Sequence, residues 1–350
     1  MKLTDVIEAL VEERDISREV LDQIVCEGML AAYEKKYPDL SLRVQLNKKT
    51  GELVIEVEKQ VVQTVDDEEI QVSLRKAAAL SKDVQIGDWV WVPFEGPIGR
   101  IEILRAKQVI AQKIRQIEAS AVYNEFKNRQ GEILQGIIHK QERAGVVVKI
   151  QEYTAFLPHS LSVPGEKMIV GHPVRALLKE VLELPRNENQ LILDRASAEF
   201  VERLFELEIP EVFERLVDVK KVVRTAGYKT KVAVVSRDTN IDPVGTCVGV
   251  GGVRIKPILK ELNNEKIDIV LWSDSLEDFV ASALKPAEIN RVEIADDGKA
   301  ARVWLDEDQR SLAIGRMGQN IQLASRLAGV NIELVQNDKA DLEQQLRETL

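Results

Sequence analysis

The sequence predicts a multidomain α+β protein, and three observations support that class. At 350 residues the chain is longer than one typical domain, and its 45% of hydrophobic residues are enough for several cores. The segment 131–196 contains five short apolar runs separated by turns, which is typical of a small β domain. A glycine turn followed by a helical stretch and a strand occurs twice, 66 residues apart.

The amino-terminal part, residues 1–127, predicts an α/β domain that ends in a long helix. Apolar residues first recur every three or four positions, and Pro38 stops this helical pattern. Alternating residues at 42–46 and 53–62 predict two strands joined by a hairpin turn. A long helix is predicted over 105–129. Nothing in this composition indicates an activity.

Residues 131–196 predict a five-stranded barrel of the OB type. The apolar runs lie at 133–138, 146–150, 155–157, 174–178 and 191–193. A glycine-led first strand followed by four short strands suits such a barrel. OB barrels bind single-stranded nucleic acid through aromatic and basic side chains on one face, which makes Tyr153, Phe156 and His159 candidate contacts. Packing within the barrel is an equally good explanation of Phe156.

The repeated glycine turns are the most informative feature of the chain. The first glycine loop is Gly249-Val250-Gly251-Gly252, and the second glycine loop is Gly315-Arg316-Met317-Gly318. Glycine at both ends lets another backbone approach without a Cβ in the way, and the amides before the next helix favour a phosphate. The KH module clamps four nucleotides with such a loop. Two ordinary interhelical turns are the alternative, and the repetition of helix and strand behind each loop disfavours it.

Charge is distributed unevenly along the chain. The formal net charge is −10, which argues against general affinity for nucleic acid. Between Val219 and Lys260, however, nine Lys or Arg stand against two Asp or Glu, a local excess of seven positive charges. From Gln309 to Val330 there are three Arg and no acidic residue. Because each cluster surrounds a glycine loop, the sequence predicts a localised phosphate-binding face, with a merely solvated charge run as the alternative.

Several other functions lack support in the sequence. Cys26 and Cys247 lie 221 residues apart, which fits a reducing cytosol, and Cys247 is expected to be a small buried side chain. The three histidines have no metal-ligand spacing, and Arg254 stands where a G-x-G-x-x-G motif needs its third glycine. We therefore expect a binding protein that is not an enzyme and holds no metal or cofactor. No apolar stretch reaches 18 residues, so no membrane span is expected.

The order of these predicted parts resembles the NusA family of bacterial transcription factors. The residues that carry the resemblance are Asp242–Gly249, Glu265–Val270 with Trp272, Ala313–Asn320 with Leu323–Ser325, Ala106–Ile110 and Gly131–Ile133. The resemblance covers nearly the whole chain and is most specific between residues 200 and 335.

The resemblance implies an amino-terminal domain that binds RNA polymerase, an S1 barrel of OB type and two tandem type II (prokaryotic) KH domains. The implied boundaries are 1–127, 131–196, 197–273 and 274–337, followed by a flexible tail at 338–350. It also implies a monomeric cytoplasmic factor that binds RNA polymerase and nascent single-stranded RNA. Such a factor works with other Nus-type antitermination factors and modulates pausing, intrinsic termination and antitermination.

Two groups of candidate contact residues follow from the motifs and the resemblance. The expected RNA-binding residues are Gly249, Val250, Gly251, Gly252, Arg254, Lys256, Gly315, Arg316, Met317, Gly318, Gln319, Asn320, Lys220, Lys221, Phe156 and His159. Basic residues that match the family's amino-terminal domain are expected contacts to RNA polymerase or to RNA at its exit: Lys35, Lys36, Arg43, Lys48 and Arg100.

The first glycine loop departs from the family pattern. Val250-Gly251 stands where the family usually has a basic residue, which weakens the phosphate contact there or shifts it to Arg254 and Lys256. Pro257 also removes one amide early in the following helix. Two alternatives stay open from the sequence: an RNA-binding factor in translation or RNA decay, and a nucleotide-using enzyme built around Gly249.

Overall fold

The computed structural model describes residues 17–47, 50, 52–80, 83–97, 99–186, 189–263 and 265–336. The chain divides into two compact units, one up to Ala121 and the other from Val122. The first is an α/β layer, and the second contains a closed barrel and two αββααβ modules, so the multidomain α+β class is confirmed. Residues 1–16, Lys48 and the expected tail at 338–350 lie outside the described residues.

The first unit is a mixed four-stranded sheet with helices. Its elements are α1 (Arg18–Lys36), β1 (Leu42–Leu46), β2 (Leu53–Val62), β3 (Gln71–Ser73), α2 (Leu74–Leu80), β4 (Trp89–Pro93) and the first part of α3 (Arg100–Phe126). Strand β2 is antiparallel to β1 and β4 and parallel to β3. Helix α1 buries Leu21 and Ile24 against Ile114 of α3. The two predicted strands are confirmed, whereas three-residue β3 is too short for its alternation to be recognised in the sequence.

Five strands of the second unit close into a barrel. They are β5 (Ile133–Glu142), β6 (Gly145–Ile150), β7 (Tyr153–Pro158), β8 (Pro173–Arg186) and β9 (Asn189–Asp194). The order around the barrel is β5-β6-β7-β9-β8, and β7 and β9 run parallel while the other neighbours are antiparallel. This closure confirms the predicted five-stranded barrel of OB type. Gly136 permits the close approach of β5 to β6, because a Cβ there would lie 2.6 Å from the Lys149 carbonyl oxygen.

Two αββααβ modules follow the barrel. The first module contains α4 (Ala198–Glu208), the short α5 (Pro210–Phe213), β10 (Val217–Thr225), β11 (Lys229–Ser236), α6 (Pro243–Val248), α7 (Ile255–Glu261) and β12 (Lys266–Leu271). The second module contains α8 (Leu276–Ala283), β13 (Arg291–Ile294), β14 (Ala300–Leu305), α9 (Glu307–Ile314), α10 (Gln319–Ala328) and β15 (Asn331–Gln336). In each sheet the middle strand is antiparallel to the strand before it and parallel to the last strand.

One apolar cluster spans the junction of the two modules. It includes Val223, Ala233, Val270, Val280, Leu323 and Leu327. The alternation of side chains along β11 explains how the cores join. Val232 and Val234 face the helices of the first module, whereas Ala233 between them faces the second module. The packing therefore fixes the position of one glycine loop relative to the other.

Cys247 lies on α6 and is fully buried. Burial raises the pKa of its thiol to about 12, and the charge of Glu211 adds to that rise. Cys26 is only partly buried. We expect iodoacetamide at about pH 8 to alkylate Cys26 and to leave Cys247 of the folded protein unmodified, since only a reachable thiolate reacts. Peptide mass spectrometry measures both rates, and equal rates would contradict the buried position of Cys247.

The same thiol makes stability depend on alkaline pH. In the folded protein the pKa of the Cys247 thiol lies above its ordinary value of 9.0. The protonated thiol therefore contributes to the free energy of unfolding below about pH 9, and this contribution is lost as the pH rises toward 12. Cys247→Ala lacks this titration. The urea midpoint of the wild type should therefore fall more steeply across this window than that of the variant.

Candidate nucleic-acid interface

The two glycine loops share one backbone geometry. Positive φ angles occur at the first, third and fourth positions of both: Gly249 (73°), Gly251 (62°), Gly252 (75°), Gly315 (71°), Met317 (54°) and Gly318 (73°). Glycine adopts this left-handed region without penalty, whereas other residues pay for it. The repeat in the sequence is thus also a repeat in the backbone, which two unrelated interhelical turns would not produce.

The first glycine of each loop packs against the helix that follows. A Cβ on Gly315 would lie 2.7 Å from the Cβ of Asn320, and a Cβ on Gly249 would lie 3.0 Å from the Cγ of Arg254. Farther along the first loop, a Cβ on Gly251 would meet nothing within 4 Å. Each loop therefore rests on its helix at the first position and is open to solvent beyond it.

The middle of each loop projects into solvent. Val250 is 96% exposed and Met317 is 84% exposed, and Arg316 beside it is also exposed. Because the two modules share a core, a ligand that reaches both loops meets them at a fixed spacing.

The fifth residue after the first glycine ties each loop to the preceding helix. In the first module, Arg254 donates from Nη1 to the Thr246 carbonyl oxygen at 2.8 Å and from Nη2 to Glu211 at 2.5 Å. In the second module, Asn320 donates from Nδ2 to the Leu312 carbonyl oxygen at 3.2 Å. Each side chain satisfies a carbonyl at the carboxyl end of a helix, where no intrahelical partner exists.

Three of the expected RNA-binding side chains have hydrogen-bond partners within the protein. Asn320 is 3% exposed, and its Oδ1 accepts a hydrogen bond from Lys229 Nζ at 3.0 Å. Gln319 accepts from the Thr225 hydroxyl at 3.1 Å. Both bonds join the second module to the first, so these amides help to position the second glycine loop. Arg254 is engaged by Glu211 and positions the first loop in the same way.

Lys256 is an exposed cation beside the first glycine loop. Its side chain is exposed, and its Cε lies 3.7 Å from the point where a Cβ on Gly252 would stand. The ammonium group is therefore carried beside the open loop backbone. The phosphate contact expected at Lys256 stays a prediction.

A cleft of about 370 Å³ opens between α10 and β15 in the second module. Its helical wall contains Ile321, Gln322 and Ser325, and its strand wall contains Asn331 and Ile332. Apolar and amide groups together suit the face and the edge of an unstacked base. Sequence reasoning missed these side chains, although their spacing along α10 places them on one helix face.

The other candidates of the second unit lie on different elements from the glycine loops. Lys220 and Lys221 are on β10, which is the opposite edge of its sheet from β12. Lys220 Nζ lies 5.6 Å from the centre of the Trp272 ring. In the barrel, Phe156 is partly buried on β7, while His159 is exposed in the turn that follows this strand.

The basic candidates of the first unit differ in whether their side chains already have a partner within the protein. Lys35 and Lys36 are the last residues of α1, and Lys36 Nζ donates to the Pro97 carbonyl oxygen. Arg100 is exposed at the start of α3.

Arg43 of the same unit is already paired. Its Nε lies 2.6 Å from Glu56, and its guanidinium lies 4.5 Å from the centre of the Trp91 ring. The expected contact at Lys48 falls outside the described residues.

Arg195 joins the barrel to the first module. Its side chain is 2% exposed, and it donates to Glu166 of the barrel at 3.0 Å and to Glu261 at 2.6 Å. Glu261 ends α7, the helix that follows the first glycine loop. Burial lowers the pKa of Arg195, but hydrogen bonds and charge from Glu166 and then Glu261 outweigh burial and raise it. A charged group satisfied in this way holds both partners in one geometry.

Arg224 extends this linkage through the first module. Its side chain is 1% exposed and donates to Glu265 from Nε at 3.0 Å and from Nη2 at 2.8 Å. Its Nη1 donates to the Arg195 carbonyl oxygen at 2.6 Å. From the second module, Arg326 donates to the Arg224 carbonyl oxygen at 3.4 Å. Two buried arginines therefore connect the barrel with the first module, and the exposed Arg326 adds a bond from the second module.

Other kinds of site find no support in the described ranges. No three His, Cys, Asp or Glu side chains there come together as a metal site. In the same ranges, no helix combines the length and the apolar character that crossing a membrane requires.

Comparison with known proteins matches three segments of the chain to family models. They are the NusA N-terminal domain over residues 2–120, the NusA-like first KH domain over 195–272 and the NusA-like second KH domain over 276–342. The last two contain the two glycine loops, so these loops are the Gly-x-x-Gly loops of KH domains.

Full-length relatives agree with these matches. The chain is 35% identical to the transcription termination/antitermination protein NusA of Rickettsia conorii over 345 residues, covering 97% of this chain and 68% of that protein. It is 33% identical to the NusA of Thermus thermophilus, and the match covers 99% of this chain and 92% of that protein. It is also 33% identical to the NusA of Bacillus subtilis, and the match covers 95% of this chain and 90% of that protein. Identity of this degree along nearly the whole length shows that the chain belongs to the NusA family.

Proposed function

We propose that the protein is an RNA-binding transcription elongation factor that binds RNA polymerase and nascent RNA. Through these contacts it modulates pausing, intrinsic termination and antitermination in the cytoplasm. The observation that carries the proposal is the pair of solvent-facing Gly-x-x-Gly loops in modules that share one core. A single-stranded RNA that follows this surface meets two clamps at a set distance.

The proposed clamps hold the RNA backbone. The open loop backbone at Gly251 and Gly318 approaches phosphates, with Lys256 and Arg316 as the neighbouring cations. The cleft between α10 and β15 takes bases beside the second loop. His159 of the barrel is a further proposed contact to RNA. The activity that we propose for the protein is binding rather than catalysis.

The proposed domain boundaries are 1–127, 131–196, 197–273 and 274–337. The segments matched by the family models lie close to the first, third and fourth of these. The closed barrel supports an S1 domain in the second range. Exposed Lys35 and Arg100 are proposed contacts to RNA polymerase or to RNA at its exit.

Salt dependence tests the RNA contacts. If four to six phosphates are neutralised, log K should fall against log salt with a slope of roughly −3 to −4 for single-stranded RNA, at about −0.7 for each phosphate. Fluorescence anisotropy with a labelled RNA measures the slope between about 50 and 200 mM salt. A flat titration would contradict phosphate binding.

Co-purification from the native cytosol tests the partner. Recovery of RNA polymerase supports the proposed function, and recovery of ribosomal subunits or nucleases supports a role in translation or RNA decay instead. Gel filtration of the pure chain tests the proposed monomer, and pull-down with other Nus-type factors tests those partners. In transcription reactions on a terminator template, the factor should change the fraction of terminated product.

A further inference from the structure

A groove of about 470 Å³ lies at the junction of the two modules. Its wall includes Tyr228, Lys229 and Lys266 of the first module and Leu312, Gly315 and Arg316 of the second. None of its lining residues lines the cleft between α10 and β15, so it is a separate depression. Gly315 and Arg316 belong to the second glycine loop, which makes the groove continuous with that clamp.

The charge of this junction groove is positive. Among the cations that line it, Lys229 is paired, because its Nζ lies 2.7 Å from Asp268. Lys266 and Arg316 are exposed and add two further cations. A concave surface with an excess of positive charge concentrates phosphate groups.

Tyr228 supplies an aromatic ring at the same place. It lies in the turn between β10 and β11, where its amide donates to the Thr225 carbonyl oxygen at 3.0 Å. Its carbonyl oxygen accepts from the Lys266 amide at 3.2 Å. The ring is partly exposed on a backbone that is held from both sides. A fixed ring next to cations is the arrangement on which proteins stack bases of single strands.

We propose that the junction groove binds one unpaired nucleotide of the RNA strand that the second glycine loop holds. The base stacks on Tyr228, and its phosphate lies between Lys266 and Arg316. The subsite rests on the RNA-binding function proposed above and adds a contact between the two clamps. RNA is favoured over a protein partner because the groove opens onto the second loop and combines one ring with excess positive charge.

Two substitutions at Tyr228 test the stacking. Tyr228→Leu removes the ring and keeps an apolar side chain, whereas Tyr228→Phe keeps the ring and removes the hydroxyl. With a single strand of about 12 nucleotides, long enough to span two four-nucleotide clamps, we expect Tyr228→Leu to bind about tenfold more weakly. Tyr228→Phe should bind within about twofold of the wild type. Equal affinity of Tyr228→Leu and the wild type would overturn the proposal.

Lys266 and a matched control lysine test the phosphate contact. Lys266→Gln should make the salt slope shallower by about 0.7, the value of one phosphate on a single strand. Lys127→Gln removes the same charge from an exposed lysine in the turn before the barrel and should leave the slope unchanged. A slope that is the same in both variants and the wild type would contradict the contact.

Photo-crosslinking locates the base directly, whatever the affinities are. RNA substituted with 5-iodouridine should crosslink to the peptide that contains Tyr228 in the wild type and in Tyr228→Phe, and not in Tyr228→Leu. Crosslinks confined to the glycine loops and the α10–β15 cleft would reject the junction subsite while leaving the RNA-binding function intact. Absence of any salt-dependent RNA binding by the wild type would reject both the junction subsite and the proposed RNA-binding function.

Discussion

A chain carrying Val250→Asp, Gly251→Asp, Arg316→Asp and Met317→Asp should lose at least about 100-fold in RNA affinity, a loss of about 2.7 kcal/mol or more. Both loops present open backbone to solvent, so carboxylates there repel the phosphates that the loops would hold. Fluorescence anisotropy measures the affinity. Circular dichroism should show a native spectrum, because Val250 and Met317 make almost no buried contact. Aspartate also tolerates the left-handed backbone at Gly251 and Met317 better than most residues.

A control for this prediction tests whether the loss of RNA affinity depends on where the negative charges are placed or only on how many are added. Leu207→Asp with Phe213→Asp adds two negative charges at positions that are 59% and 74% exposed on α4 and α5. Val250→Asp with Gly251→Asp adds the same two charges on the first glycine loop. The control pair should bind RNA nearly as the wild type does. Equal losses in the two pairs, or full affinity in the quadruple variant, would show that the loops are not the clamps.

Glu265→Ala should destabilise the second unit by about 3–5 kcal/mol, because it leaves the charged side chain of Arg224 buried without its partner. The carboxylate also accepts from the Thr230 hydroxyl and from the Gly227 amide, so two further donors lose their acceptor. Urea unfolding followed by circular dichroism measures the change. The transition midpoint should fall while its slope stays similar.

An exposed ion pair of the same chain provides the control. Arg291 and Glu293 are 57% and 42% exposed, so Glu293→Ala should change stability by less than about 1 kcal/mol. Glu265→Gln keeps a carbonyl acceptor for the neighbouring donors and should fall between the wild type and Glu265→Ala. A Glu265→Ala protein as stable as the Glu293→Ala protein would show that the buried network contributes nothing.

Local patterns in the sequence predicted most of the fold. The five apolar runs became the five barrel strands, and both glycine loops were found with the helix and strand behind them. These elements depend on the spacing of neighbouring residues, which a sequence displays directly. The short strand Gln71–Ser73 was missed because three residues show no alternation.

The roles of individual polar side chains were harder to predict. Asn320 and Arg254 stand next to the glycine loops in the sequence, but they turn inward to backbone carbonyls and to Glu211. Tyr228 is far from Arg316 in the sequence, yet both line the junction groove. Burial and proximity between modules arise from tertiary packing, so composition and spacing do not reveal them.

The common core of the two modules has a consequence for how the protein is divided. A fragment that stops after Leu271 lacks α8 and α10. Its Val223, Ala233 and Val270 would then form an exposed apolar patch. Such a patch invites aggregation. We therefore expect one module excised or transplanted alone to expose this surface, whereas the two modules moved together keep it covered.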